Sequence, residues 1–145
     1  MTIATAVAPV TARPLPRPAY AAFEVSFAPD TVWVGCSRRI TSAFLRWLKV
    51  SEPLADNIVL GVSELVTNGV THGVGDVSLR VRYRSSEVRV EVVDGNPEPA
   101  TMRLANDADP SGRGLLLVKV LSRKWGVSND GKTTWCTFRI PEGRS

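Results

Sequence analysis

At 145 residues the chain fits one domain with a sizeable core, and its formal charge is only +4. The cations are spread along the chain rather than clustered, which argues against direct nucleic-acid binding. No apolar run approaches the ~20 residues of a membrane helix, and residues 1–6 lack the basic start and apolar core of a signal peptide. The expectation is therefore a cytoplasmic protein with no membrane contact.

Residues 1–20 hold Pro9, Pro14, Pro16 and Pro18 among Ala and Thr. Each proline removes a backbone donor and fixes φ, which predicts a disordered or extended tail and places the folded domain at 21–145. Phe23, Val25 and Phe27 then alternate with Glu24 and Ser26, the period of a strand. Pro29-Asp30 stops it, and Asp30 can cap the next element. Over residues 31–49, Cys36, Ile40, Phe44, Trp47 and Leu48 are expected to share the buried face of an amphipathic helix. Ser37, Arg38, Ser42, Arg46 and Lys49 are expected mostly to face away. Ser51-Glu52-Pro53 restarts the chain as a cap and first turn of a second helix, which runs to about residue 71.

After Gly73-Val74-Gly75-Asp76, Leu79, Val81 and Tyr83 alternate with arginines. Beyond Ser85-Ser86, Val88, Val90 and Val92 alternate with Arg89 and Glu91. This predicts a hairpin with one face for helices to cover and one Arg-rich face, either solvated or a docking surface. Residues 96–111 form a long irregular connection rich in Pro, Asp and Asn, of the kind used for lids. Ser111-Gly112-Arg113-Gly114 opens a third helix. Two strands near residues 125–128 and 133–140 close the chain, with Thr134, Cys136, Phe138 and Ile140 on the core parity. Cys36 and Cys136 have no metal-ligand spacing around them and read as small core residues. The fold expected is an α+β two-layer sandwich: a mixed, mostly antiparallel sheet with about three helices on one face.

The chemistry concentrates in Glu64-Leu65-Val66-Thr67-Asn68-Gly69-Val70-Thr71-His72. Glu64, Asn68 and His72 stack along one helical face at about 6 Å per step. The segment is locally poor helix, since Gly alone costs about 1 kcal/mol relative to Ala. Either it keeps these residues for a site, or it is a helix end fraying into Gly73. By strand parity Asp94 follows Val88, Val90 and Val92 onto the helix-covered face, where a carboxylate needs a partner. An ordinary Asx turn is the simpler reading. Gly112-Arg113-Gly114 lets backbone N–H groups meet an anion at a helix start. Residues 126–133 match the Walker pattern G-x-x-x-x-G-K-T. That mechanism needs a helix after the loop, and the strand-like Thr134-Trp135-Cys136-Thr137-Phe138 follows, so the match reads as a hairpin turn.

Together these segments resemble the GHKL superfamily (Bergerat fold) of nucleotide-binding domains. Glu64-x-x-x-Asn68-x-x-x-His72 is similar to its N box. Asp94-Gly95-Asn96-Pro97 resembles its adenine box, Gly112-Arg113-Gly114-Leu115 its phosphate-contacting glycine box, and Gly131-Lys132-Thr133-Thr134 its last box. Order and spacing fit along roughly residues 22–140. The usual Asp-x-Gly-x-Gly departs here: Gly95 directly follows Asp94, Asn96 takes the usual glycine position, and the second glycine is absent. Within the superfamily the chain most resembles the anti-sigma-factor serine/threonine kinases of the RsbW and SpoIIAB type, in particular their actinobacterial relatives.

The resemblance implies ATP and Mg²⁺ as cofactors. It implies a sigma factor and a STAS-domain anti-anti-sigma protein as partners, and a homodimer. It assigns Mg²⁺ to Asn68, the general base to Glu64, and the adenine amino group to Asp94 with Gly95 beside it. The phosphates fall to Gly112, Arg113 and Gly114, and support of the adenine contact to Thr134, with Thr133 the alternative. His72 is either part of this site or a polar residue closing the helix. The competing function is a non-catalytic ATP-binding module whose 96–111 lid controls partner docking.

Overall fold

The computed structural model describes residues 17–95 and 117–142. Its elements run β1 (Tyr20–Phe27), α1 (Val32–Trp47), α2 (Glu52–His72), β2 (Val77–Arg84), β3 (Glu87–Val93), β4 (Lys124–Val127) and β5 (Thr133–Arg139). A helical segment over residues 117–121 precedes β4. The five strands form one sheet in the order β1-β2-β3-β5-β4, and all four pairings are antiparallel.

The expected alternation holds in β2 and β3, while in β5 Thr137 is buried as well, on the opposite face to Cys136 and Phe138. Leu79, Val81, Val88, Val90, Val92, Cys136 and Phe138 are all buried on one face, where α1, α2 and the 117–121 segment cover them. The result is the two-layer α+β sandwich expected from the pattern. Strand β1 begins at Tyr20, ahead of the Phe23 alternation, because Tyr20 pairs with Arg84 at the end of the β2–β3 hairpin. That hairpin turns through Ser85 and Ser86, both left-handed with φ of 51° and 58°, the backbone of a two-residue primed turn.

Helix α2 lies close against β5. A Cβ at Gly61 would sit 3.1 Å from the Phe138 ring, so the glycine exchanges helix propensity of about 1 kcal/mol for close approach. Ser51 occupies the N-cap position as expected but makes no side-chain capping bond; Pro53 sits in the first turn. At the start of α1 the Asp30 carboxylate accepts from the Val32 N–H at 3.0 Å, satisfying one otherwise orphaned donor.

The expected buried face of α1 needs correction. Its buried line is Ser37, Thr41 and Leu45, whereas Trp47 is 63% and Ile40 39% exposed. Phe44 still packs edge-on against Phe23, and Trp33 stacks on Phe27. Small Ser37 and Thr41 side chains let the helix approach its neighbours, a choice that a hydrophobicity count cannot register. Cys36 is accordingly only partly covered, while Cys136 is buried as expected.

Arg17 fastens three segments. Its guanidinium donates to the Leu48 and Lys49 carbonyls at 2.8 and 3.2 Å and to the Pro141 carbonyl at 2.9 Å. Leu48 is the C-cap of α1 and Lys49 the left-handed residue after it, so the guanidinium serves carbonyls at and just past the helix end, where intrahelical donors run out. Among the described residues, no helix is long and apolar enough to cross a membrane.

Candidate functional site

Helix α2 carries the polar turn into the layer between helices and sheet. Asn68 is buried at 4% exposure, and its side-chain carbonyl oxygen has no hydrogen-bond partner among the described residues. A buried amide oxygen without a partner costs roughly 1–3 kcal/mol, so the position suits an electropositive ligand. Glu64, one turn earlier, is half-buried. Burial pushes its carboxyl above the ordinary value of 4.5, because desolvation disfavours the charged form.

Asp94 sits directly beneath the end of this helix. Its Oδ2 lies 3.7 Å from where a Gly69 Cβ would be, and its Cβ and Cγ lie 2.8 Å from where a Gly73 Cβ would be. The two glycines thus form a cradle for the carboxylate, with Gly69 also meeting Val77 and Val92. The backbone around Asp94 is anchored on both sides. Its N–H donates to the Lys132 carbonyl at 2.9 Å, and the Gly95 N–H donates to the Val74 carbonyl at 2.8 Å. Strand parity puts Asp94 on the helix-covered side, and there it lies.

Thr134 is buried on the same side of the sheet. It pairs across β3 with Val92, two residues before Asp94. Thr133 has the opposite parity and pairs with the partly exposed Val93, which favours Thr134 of the two candidates. The structure thus sets Asp94 and Gly95 against the end of α2, through Gly69, Gly73 and Val74; Glu64 and Asn68 lie one turn apart on that helix, and Thr134 lies on the covered face of β5 opposite Val92. Gly112, Arg113, Gly114 and the 96–111 connection lie outside the described residues. His72 closes α2 and is partly covered.

The cradle escapes a reading of the sequence, in which Gly69 is lost propensity and Gly73 a turn. Two glycines four apart beside an inward carboxylate are nonetheless the signature of close approach. The Walker-like match falls where expected, in the β4–β5 connection. Gly131 is left-handed at φ 74°, the Ser128 N–H donates to the Thr133 carbonyl, and strand β5 follows. The Asp130 carboxylate takes hydrogen bonds from the Ser128 hydroxyl and the Lys132 N–H, which hold its pKa below the ordinary range. This is hairpin architecture with no helix start to receive a phosphate.

A family model described as a histidine kinase-like ATPase domain matches residues 27–139. Among solved structures, the chain is similar to the crystal structure of the RsbU and RsbW domains of Rv1364c from Mycobacterium tuberculosis, with a TM-score of 0.62 at 16% identity. The match covers 86% of this chain and 33% of that one, so this chain spans about a third of its structural neighbour. At that identity the likeness concerns the fold. No curated protein matches the sequence significantly.

Proposed function

The chain belongs to the histidine kinase-like ATPase family and has its GHKL fold, and from that premise we propose an ATP·Mg²⁺-binding anti-sigma regulatory factor that phosphorylates a serine or threonine of a STAS-domain anti-anti-sigma partner. One observation carries the reading: the buried carbonyl oxygen of Asn68, which no described residue hydrogen-bonds, on the helix against which Asp94 is cradled. A single protein amide suits a metal that takes phosphate oxygens and waters as its other ligands.

Bound ATP·Mg²⁺ supplies the transferable phosphoryl group and the charge neutralisation that phosphoryl transfer needs. The protein supplies position and proton handling. Asn68 offers its amide oxygen to the metal. Asp94 accepts from the adenine amino group, with Thr134 supporting the contact and Gly95 holding the chain beneath it. Gly112, Arg113 and Gly114 serve the phosphates. Glu64 takes the proton of the attacking hydroxyl; its raised pKa brings it closer to the range of an effective general base at neutral pH. The sigma factor is held by the protein in the cytoplasm, as a homodimer, and released when the STAS partner competes.

The test is Mg²⁺-dependent ATP binding by calorimetry together with phosphotransfer to a STAS protein. Asp94→Ala and Asn68→Ala should each lower ATP affinity by tenfold or more, about 1.4 kcal/mol, and Asn68→Ala should also flatten the Mg²⁺ dependence. Glu64→Ala should bind ATP and fail to transfer phosphate. Affinity indifferent to Mg²⁺ and to Asp94 would end the nucleotide reading. Unchanged transfer by Glu64→Ala would remove its role as base.

A further inference from the structure

The face of the sheet away from the helices carries a charge pattern that the nucleotide site does not use. Alternation puts Glu24, Arg80, Arg82, Arg84, Glu87, Arg89 and Glu91 on it, with Trp135, Arg139 and Lys124. Six cations thus face three carboxylates, and no described element packs over them. Arg82 and Arg89 are direct cross-strand partners, a like-charge pairing that costs stability in a sheet. Both reach one Glu91 oxygen, Arg89 at 2.8 Å. Arg89 is also laid over the Trp135 ring at 4.3 Å, and that ring covers the bare backbone of Gly126. The guanidinium is held in place before any ligand arrives, which lowers the ordering cost of binding. Beside it opens a cavity of about 350 Å³ lined by Tyr20, Arg82, Arg84, Ser85, Glu87 and Arg89, three cations to one carboxylate.

From this arrangement we propose that the outer sheet face is a docking surface for an acidic polypeptide segment, with a carboxylate side chain seated among Arg82, Arg84 and Arg89. Charge complementarity selects the occupant. Arg80, Arg82 and Arg84 recur on one face of β2 about every 6.6 Å, which is also the spacing of alternate side chains on an extended peptide laid along that strand. The interleaved Glu24, Glu87 and Glu91 repel a duplex, which carries a charge every ~1.7 Å and leaves no gaps for carboxylates. The cavity is the size of a side chain or two. Because Asn68 and Asp94 lie on the other side of the sheet, occupancy here leaves the nucleotide site open, and the inference does not rest on ATP binding.

The probe is a fluorescein-labelled oligoglutamate peptide, followed by anisotropy at low salt without nucleotide, against the full chain. Arg82→Ser/Arg84→Ser should weaken binding on the order of tenfold. Arg38→Ser/Arg39→Ser, an equal charge loss on α1, should change it by no more than about twofold. Amide shifts in the unmodified protein should concentrate in the β2–β3 hairpin and not in α2, which decides the matter even where a variant folds poorly. Three results would overturn the proposal: no oligoglutamate binding, equal loss from the two double variants, or a DNA oligonucleotide binding as tightly as the peptide.

Discussion

Replacing Gly73 by alanine probes the cradle directly. The new methyl would stand 2.2 Å from the Gly69 carbonyl oxygen and 2.8 Å from Asp94 Cβ and Cγ. Carbon atoms rest at about 3.5–4.0 Å, so Asp94 must retreat by roughly 0.7 Å, and the 2.2 Å approach to the Gly69 oxygen requires the end of α2 to open as well. Together these responses resemble overpacking, at a cost of about 1–3 kcal/mol. Gly69→Ala is the internal control. Its methyl would meet Val92 and Val77 methyls at 3.2 and 3.3 Å and Asp94 Oδ2 at an ordinary 3.7 Å. Two valines need to yield only slightly, and alanine recovers about 1 kcal/mol of helix propensity. Gly69→Ala should therefore leave the urea midpoint nearly unchanged and ATP affinity within about threefold. Gly73→Ala should lose about 2 kcal/mol of stability and about tenfold in ATP affinity. Denaturant titration and calorimetry on both variants measure these quantities. A Gly73→Ala protein that matched the parent in both would refute the cradle, as would a Gly69→Ala protein that proved the more damaged of the two.

Three further outcomes are expected. Ser85→Asn/Ser86→Gly places residues suited to positive φ at a turn that already holds 51° and 58°; it should raise stability by about 1–2 kcal/mol, read as a higher urea midpoint. Glu64→Gln removes a carboxylate that burial makes reluctant to ionise. Since the folded-state pKa lies above the unfolded one, the parent loses stability as pH rises from the ordinary value of 4.5 through the folded value. The Gln variant should be the more stable protein at neutral pH, with the gap closing as pH falls toward 4.5, while its phosphotransfer is lost. Burial pushes the Cys136 thiol up to about 12. A thiol reagent at mildly alkaline pH should therefore label Cys36 alone in the native protein and both cysteines in denaturant.

Much of the sheet was legible because its signal is binary. Val88, Val90 and Val92 alternate with charges, and period two admits one register, so the side of Asp94 followed from counting. The second helix was legible from Pro53 and Ser51 at one end and Gly73 at the other. The buried face of α1 was not. A hydrophobicity count favours Trp47 and Ile40 over Ser37 and Thr41, yet close helix packing rewards small side chains, and only the neighbours reveal which face is tight. The site divides in the same way. Asn68 and Asp94 carry polar chemistry that sequence spacing can align. The roles of Gly69 and Gly73 are absences of atoms, visible only when something else occupies the space. Arg17 was invisible for another reason: its three carbonyl partners come from segments that approach one another only in the finished fold.

The strand order β1-β2-β3-β5-β4 also sets how the domain assembles. Two of its pairings, β2–β3 and β4–β5, are hairpins that can zip locally on the microsecond scale. The other two are joints between distant parts of the chain: β1 meets β2 only after both helices have been traversed, and β3 meets β5 only across residues 94–132. Non-local joints of this kind slow folding because closure entropy is spent before contacts form. That entropy grows only logarithmically with length, so doubling the segment between β3 and β4 would cost about 0.6 kcal/mol. Added length ahead of the 117–121 segment, whose Val118 belongs to the core, therefore costs the sheet little closure entropy. Such lengthening is thermodynamically cheap, while a single methyl at Gly73, against Asp94, is not.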